Sequence, residues 1–599
     1  MKQSLLLTLI FSALYSFGQN NYEKAWKEMN ENKWGEASRL LTEAMKDPET
    51  FQDAYISKMY LESYRGKEDE ISDFEKTFYK KASNPYPYIY ALWFNEAVIG
   101  ESGAKKYAHQ IDLLNHLIDD PNAPGTLIGS ANYQLGLHNT FTNNFEKCPQ
   151  YYNRVGNLKN WQFTGPFENL SQSGFYKNHG PVDHPEPDAV FKSLTNADIK
   201  WFVPSTEIKE GWTVVDNQFN NYSAVVYAQN FVNSTTDQEM YCDAGCSGSL
   251  KVWINDELII YEPEERVTEM DAYIAKCKLK KGVNRVLVQL GFTNNSFPNF
   301  TIRFTDEKQQ LIPGISGSSV YSPYPKVTGG SSQQKLSLSF AEAYFLEKIE
   351  KAPNNLLNYL LLSDVYLRNK KLREARNLMS TALTLAPNNC LVRMEIAEIL
   401  SKEQNRTLLL EEIERIKQLD PDCLLVMELN IKELFDNQKY DDGAIELTKR
   451  INLYGENEQT AAYKILLLIQ EKKYDALVTE VERFYTKYPN NPKIVDLMYS
   501  IKKDVYKDNK GAMKVFESYM KNNFDYNTFI KYADYLSQQG NEEKALAIRK
   551  RMTEYFPYSP REFYALSKYF YSAKQFDKAE EYAKQSLSLA PYNETYWEQ

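Results

Sequence analysis

The residues able to do acid–base or nucleophilic work are few and unevenly placed. All five histidines, His109, His116, His138, His179 and His184, precede residue 185. A Ser-His-Asp or Cys-His centre confined to the long C-terminal part is therefore excluded. A hydroxyl or thiol needs a neighbouring base to become a strong nucleophile at neutral pH. Six cysteines, Cys148, Cys242, Cys246, Cys277, Cys390 and Cys423, are scattered over three regions and make no disulfide framework. Small buried thiols are expected, with one bridge among Cys242, Cys246 and Cys277 as the alternative.

One loop gathers His179, Asp183, His184, Glu186 and Asp188 among prolines. Its carboxylates and carbonyls could hold a cation such as Ca²⁺, or its prolines could simply stiffen it against a sheet. It is a weak candidate, and the expectation is no metal and no cofactor. His109 and His116 share a helical face without the Glu spacing of a metal motif, which fits a helix surface. Trp201, Trp212 and Trp253 are the ligand-binding candidates, as indoles on which a sugar could stack. Val252 and Ile254 alternate against Trp253 and place it on the other face of a strand. The Glu264-Glu265 pair suits a solvated turn rather than a glycosidase centre. The glycines near 329 are followed by no Lys-Ser/Thr helix start, so no phosphate loop is present. No catalytic residue stands out, and a non-enzymatic protein is expected.

The elements that must position these residues announce themselves by a repeat. Pro353, Pro387 and Pro421 are spaced by 34 residues, and the same step lands on Gly455, Pro489, Asn523, Pro557 and Pro591. Each of these stops or caps a helix. Between them lie helix–turn–helix patterns. Tyr359, Leu362, Ser363 and Tyr366 share one face, and Ala375, Met379 and Ala382 form the facing stripe. Phe563, Leu566, Ser567, Phe570, Ala579 and Tyr582 repeat the arrangement. Small residues let the backbones approach while aromatics fill the volume. These residues resemble the tetratricopeptide pattern across 354–591. Gly443 and Gly511 stand where that pattern has Ala, which marks two loose units. Trp26, Trp34, Ala37, Leu41, Ala44 and Pro48 carry the pattern less regularly near the start. Tyr133, Leu135, Gly136, Phe145, Cys148 and Tyr152 do so near 150, with Cys148 at an Ala position.

From about 159 to 312 the period becomes alternating, with strand-like runs bounded by turn residues such as Asn255-Asp256 and Lys281-Gly282. Many short strands favour a β-sandwich or jelly roll. The opening from Trp161 to Phe167, the hairpin Gly248–Leu258 and the hairpin Leu279–Val288 resemble galactose-binding-like jelly rolls. The order of parts resembles the front portion of exported bacterial transglutaminase-like proteins, and that resemblance implies a Cys-His-Asp domain further downstream.

Lys2, the apolar run Leu5–Phe17 and Gly18 read as a secretory signal. The domain plan is thus a signal peptide over 1–18, a tetratricopeptide-like array over 20–158 and a β-sandwich over 159–312. A flexible Gly/Ser-rich linker over 313–335 and a second tetratricopeptide array over 336–599 follow. With Trp597 at the first large position of a new helix, the last array is expected to end inside a repeat, without a cap, as part of a longer parent. The fold class is multidomain α and β, with α-solenoid arrays flanking the sandwich. A net charge of -10 argues against nucleic acid, and no later run is apolar enough for a transmembrane segment. The expected role is an exported scaffold, periplasmic or at the cell surface, which binds protein or peptide partners in helical-repeat grooves. The alternatives are a non-catalytic region of a transglutaminase-like or peptidase-like enzyme, and carbohydrate binding by the sandwich.

Overall fold

A two-helix hairpin buries only one side by itself and persists by stacking on its neighbours. The C-terminal sequence is built this way. Its helix pairs are Leu356–Arg368 with Leu372–Leu385, Cys390–Lys402 with Arg406–Leu419, and Leu424–Asp436 with Tyr440–Tyr454. Glu458–Gln470 with Tyr474–Lys487 and Pro492–Ser500 with Asn509–Met520 follow. Tyr526–Gln538 with Glu542–Tyr555 and Pro560–Ser572 with Phe576–Leu589 complete the series. All eight positions of the 34-residue clock fall between helices. Tyr359, Leu362, Ser363, Tyr366, Ala375, Met379 and Ala382 are buried as their spacing requires. Asn389, Asn457, Asn491 and Asp525 cap helix starts by accepting backbone N–H groups.

This computed structural model describes residues 20–67, 71, 73–100, 108–207, 210–219, 223–295, 297–327 and 335–597. The expected signal peptide and residues 328–334 of the expected linker lie outside the described residues. The chain divides into two compact units. Described residues up to Val98, with Tyr344–Leu367 and Lys371–Leu477, form the first. Those within Ile99–Ala343, with Arg368–Lys370 and from Val478 onward, form the second. The helical stretch 20–158, expected as one array, is shared between them. Its early hairpins stack on the repeats after Tyr344, and its last helices stack on later repeats and on the sheet.

A second clock, silent in the sequence, governs the turn inside each hairpin. Lys370, Gln404, Gln438, Lys472, Lys507, Gly540 and Lys574 all have positive φ. The next amide reaches back five residues to close the helix, as from Asn405 to Leu400 at 3.0 Å and from Lys439 to Leu434 at 2.8 Å. After Lys507 the reach is one residue longer, from Asp508 to Lys502 at 2.8 Å. This is a Schellman closure, which glycine serves without strain. Asn32 and Asn143 repeat it in the N-terminal helices, with closing bonds from Lys33 to Glu28 at 2.9 Å and from Asn144 to Asn139 at 2.8 Å.

Gly443 and Gly511, expected to mark loose units, leave no gap in the packing. A π-helical turn, Ile501–Val505, inserts one residue and moves the left-handed position to Lys507. Ala512, fully buried, thus takes the place assigned by register to Gly511. At Gly443 a Cβ would meet the Phe435 ring at 2.7 Å, so the room of the missing side chain is filled by an aromatic.

In the second unit lies a curled antiparallel sheet of β1 (Gln162–Phe167), β4 (Thr213–Val214), β5 (Ala224–Ser234), β6 (Gln238–Ile254), β7 (Glu257–Val267), β8 (Tyr273–Leu279), β9 (Gly282–Phe292), β10 (Asn299–Thr305) and β11 (Ser316–Ser318). A separate hairpin joins β2 (Val190–Lys192) to β3 (Asp198–Lys200). The long strand β6 pairs with β8 and β10 through its first half and with β7 and β9 through its second. The sheet curls where it changes partners, at Gly245 and Gly248. A Cβ on Gly245 would meet the Glu269 carbonyl oxygen at 2.3 Å, and one on Gly248 the Gly291 carbonyl oxygen at 2.6 Å. Val226, Val252, Val288, Phe300 and Ile302 belong to the core inside the curl, and all six cysteines are buried free thiols.

The stretch expected as a flexible linker runs along this sheet as far as 327. Gly317 pairs with Val232, Tyr321 meets Phe231 edge-on at 5.4 Å, and the Val327 amide donates to Asn255. Its aromatics supply the burial that Gly and Ser do not. Tyr592, just after the last helix pair, meets the sheet side of the unit. The Lys200 amide donates to the Tyr592 hydroxyl at 2.9 Å, and Tyr592 meets Phe202 edge-on at 5.5 Å.

Glycine introduced at Gln404 or Gln438 should relieve the left-handed strain of each turn. Each substitution is expected to raise unfolding free energy by about 0.5–1 kcal/mol, measured by urea unfolding. Glu403→Gly, one residue earlier in right-handed conformation, should lower it.

Candidate functional site

The alternation of strands β5, β6 and β9 sends a second set of side chains to the opposite face of the sheet. Val225, Tyr227, Trp253 and Leu287 pack there with Phe167, Phe191, Ile199 and Trp201. Trp201 and Trp253 are only 6% and 7% exposed, so neither offers an open ring face. Trp212 is half-buried and lies edge-on to Tyr133 at 6.4 Å. The three indoles therefore form no common platform.

The metal-candidate loop covers this second face, and its carbonyls are already engaged. Arg285, fully buried, donates to the carbonyls of Pro181 at 2.6 Å and Val182 at 2.8 Å. The same guanidinium donates to Gln229 at 3.0 Å and pairs with Asp256 at 3.0 Å. Gln229 donates to the Pro185 carbonyl at 3.0 Å and the Trp201 indole to that of His184 at 2.9 Å. The protein's own cation thus occupies the position where loop carbonyls converge. His179 stacks on Phe167 at 4.9 Å, and burial holds its imidazole below the usual range. Asp183, His184 and Asp188 are exposed and Glu186 is half-buried. No group of three or more His, Cys, Asp or Glu among the described residues is placed to hold a metal ion. His116 is exposed on its helix, and the side chain of His109 lies outside what is described.

Arg285 escaped the sequence reading, although its signal is present in β9. There Arg285, Leu287 and Gln289 alternate against Val286, Val288 and Leu290. Lys251, on the same face, donates to the Phe175 carbonyl at 2.6 Å and lies 4.3 Å from the Phe175 ring centre. Burial lowers its ammonium to about 8.

The first unit contains the other chemically distinctive cluster. Asp364 of helix Leu356–Arg368 accepts a hydrogen bond from Tyr60 of helix Phe51–Tyr64. Glu395 and Glu398 approach from helix Cys390–Lys402, where Lys402 pairs with Glu398 at 3.1 Å. Burial, with the neighbouring Glu398 carboxylate, pushes Asp364 up to about 8, and burial beside Asp364 raises Glu395 well above its usual range. Burial and like charge together disfavour full ionisation of these two acids. Asp364 and Glu398 are 34 residues apart, at one position of successive first helices. At Asp364 that face is covered by helix Phe51–Tyr64, whereas the Glu398 side chain is 50% exposed; at a neighbouring turn Trp34 and Tyr64 both donate to Asp420, at 2.8 and 2.7 Å.

The same position recurs as Ser500, Asp534 and Lys568 in the second unit, and there all three are exposed. Beside them Lys531 pairs with Asp496 at 2.7 Å, and Arg549 pairs with Asp534. Lys568 lies 5.3 Å from the ring centre of Tyr564, and Tyr571 is 60% exposed. The result is a ridge of charged and aromatic side chains facing solvent.

No protein-family model matches the sequence, and no curated protein matches it either. Several solved structures do. A tetratricopeptide repeat protein from Parabacteroides merdae is 17% identical, covering 35% of this chain and 84% of that one with a TM-score of 0.28. Pseudomonas aeruginosa PilF is 17% identical over 33% of this chain and 90% of that one, TM-score 0.27. Yeast Tom70 is 20% identical over 42% of this chain and 54% of that one, TM-score 0.31. At these scores the similarity carries no weight of its own, and the tetratricopeptide-like organisation stands on the helices and turns described above. Among the described residues no helix is long and apolar enough to cross a membrane.

Two pH profiles test the buried groups. Asp364 is held above its unfolded value, so its contribution is fully present below about pH 4 and is lost as pH rises towards 8. Asp364→Asn should flatten the stability profile over that window and stabilise the protein at pH 8 by about 1–3 kcal/mol. Lys251 is held below its unfolded value, so it opposes folding below about pH 8 and ceases to do so above 10.5. Lys251→Met should therefore raise the melting temperature at pH 7, with the advantage gone near pH 11.

Proposed function

We propose that this protein is an exported, non-catalytic scaffold that holds a peptide or helix of a partner protein on its second-unit ridge. The observation that carries the reading is the run of solvent-facing side chains at one repeat position through the second unit. Asp364 lies under Tyr60, whereas Ser500, Asp534 and Lys568 face solvent beside exposed Tyr571. Stacked repeats provide a rigid, pre-ordered row of side chains, which reduces the entropy lost on binding. Alternating Asp496, Lys531, Asp534 and Lys568 favours a partner segment of mixed charge and sets its register. Tyr564 and Tyr571 supply the aromatic anchors that carry much binding energy.

The positive start and apolar run Leu5–Phe17 support export, with the protein residing in the periplasm or at the cell surface. The curled sheet, with β6 shared between two sets of partners, supports a β-sandwich of jelly-roll type acting as a rigid spacer. The buried Trp201 and Trp253 lend carbohydrate binding no support. The acidic net charge of -10 favours protein over nucleic-acid partners.

The test is affinity capture from the native cell envelope with two baits, the natural chain and the triple variant Asp534→Lys, Lys568→Glu, Tyr571→Ala. A partner retained by the first and reduced at least about tenfold on the second, at unchanged melting temperature, supports the reading. Equal retention on both baits contradicts it.

A further inference from the structure

Two cysteines and a methionine of the first unit meet where consecutive repeats join. Cys390 opens helix Cys390–Lys402, and Met394 stands four residues further along the same helix. Side chains at that spacing share a face and lean towards the helix start, which brings the Met394 thioether back towards Cys390. Cys423 is the N-cap of the next first helix, Leu424–Asp436, and its thiol donates to the Met394 sulfur at 3.8 Å. Both thiols also lie within hydrogen-bonding reach of one hydroxyl, that of Tyr64, whose own proton goes to Asp420 at 2.7 Å.

The sulfur-to-sulfur contact sets this corner apart from other buried thiols of the chain. Cys148 and Cys246 donate to backbone carbonyls, of Gly136 at 3.5 Å and Gly248 at 3.3 Å. Asp420 is the carboxylate beside the pair, and it is already engaged by Trp34 and Tyr64. The third donor is therefore a thioether and not an acid. The amides of Leu425 and Val426 face the Cys423 sulfur, as they would a thiolate at a helix start. Cys390 and Cys423 are 0% and 1% exposed, whereas Met394 is half-buried, which gives an ion its approach from the methionine side.

We propose that Cys390, Cys423 and Met394 form a binding site for one copper(I) ion. Thiolate and thioether donors select this soft ion over harder divalent ones. Metal–sulfur bonds of about 2.3 Å in a trigonal arrangement hold the sulfurs about 4 Å apart. Cys423 and Met394 already stand close to that separation. Zinc takes four donors in its structural sites and suits this three-sulfur corner less well. Burial holds both thiols above their usual range, so their protons stay until the metal displaces them. Two protons leave as one monovalent cation enters, and the amides at the helix start offset the single negative charge that results. Bound there, the ion ties together the starts of two successive repeats.

The experiment is an anaerobic titration of the full chain into copper(I) held by the coloured chelator bicinchoninate, followed by copper X-ray absorption on the product. Cys423→Ser, Met394→Leu and the control Cys277→Ser are titrated in parallel, each with its melting temperature. The natural chain is expected to withdraw copper into a shell of sulfur alone. Affinity should fall at least about a hundredfold with Cys423→Ser and about tenfold with Met394→Leu, which preserves side-chain volume, against less than about twofold for the control. No transfer of copper, nitrogen or oxygen in its shell, or an equal loss in the control overturns the proposal.

Discussion

A helix hairpin of this kind has two apolar sides and buries only one of them, and the rest of the structure follows from that constraint. Each hairpin needs a reversal tight enough to bring its helices together, hence the recurrent left-handed residue and its closing bond. Each also needs a neighbour. Within the first unit the early helices supply one, as Tyr60 and Trp34 engage Asp364 and Asp420. Within the second unit Phe145 stacks on Tyr555 at 3.6 Å and meets Phe524 edge-on at 4.9 Å.

Two turn asparagines perform this docking in the same manner. Asn32 donates to the Asn388 carbonyl at 2.8 Å and accepts the Cys390 amide at 3.0 Å in the first unit. In the second unit Asn143 donates to the Met520 carbonyl at 2.9 Å and accepts the Tyr555 hydroxyl at 3.1 Å. Asparagine tolerates the left-handed conformation, and its amide then satisfies backbone groups of a distant turn. One residue thus closes a hairpin and fastens it to another.

Much of the helical repeat was legible because its punctuation is chemical. Proline ends a helix wherever it falls, so the 34-residue step could be read from residue types alone. The inner turns were silent because Lys and Gln occupy left-handed positions that only Gly540 advertises. The extra residue at Ile501–Val505 was silent too. Compensation by a shorter second helix kept the proline spacing intact and misassigned Gly511. On the sheet, the alternation of Trp253 against Val252 and Ile254 was correctly read as a change of face. What covers that face depends on Arg285 reaching the carbonyls of Pro181 and Val182, a contact across about a hundred residues that local pattern does not encode. The candidate loop was visible for its acids and imidazoles, yet its structural role is carried by its backbone oxygens.

One repeat face is thus covered by the chain itself near Asp364 and left open near Asp534 and Lys568. Thiol labelling of single-cysteine substitutions measures this contrast directly, because the six natural thiols are buried. Asp534→Cys and Lys568→Cys are predicted to react at rates close to those of a free peptide thiol, with Asp364→Cys at least about tenfold slower. Equal rates at the three positions would contradict it.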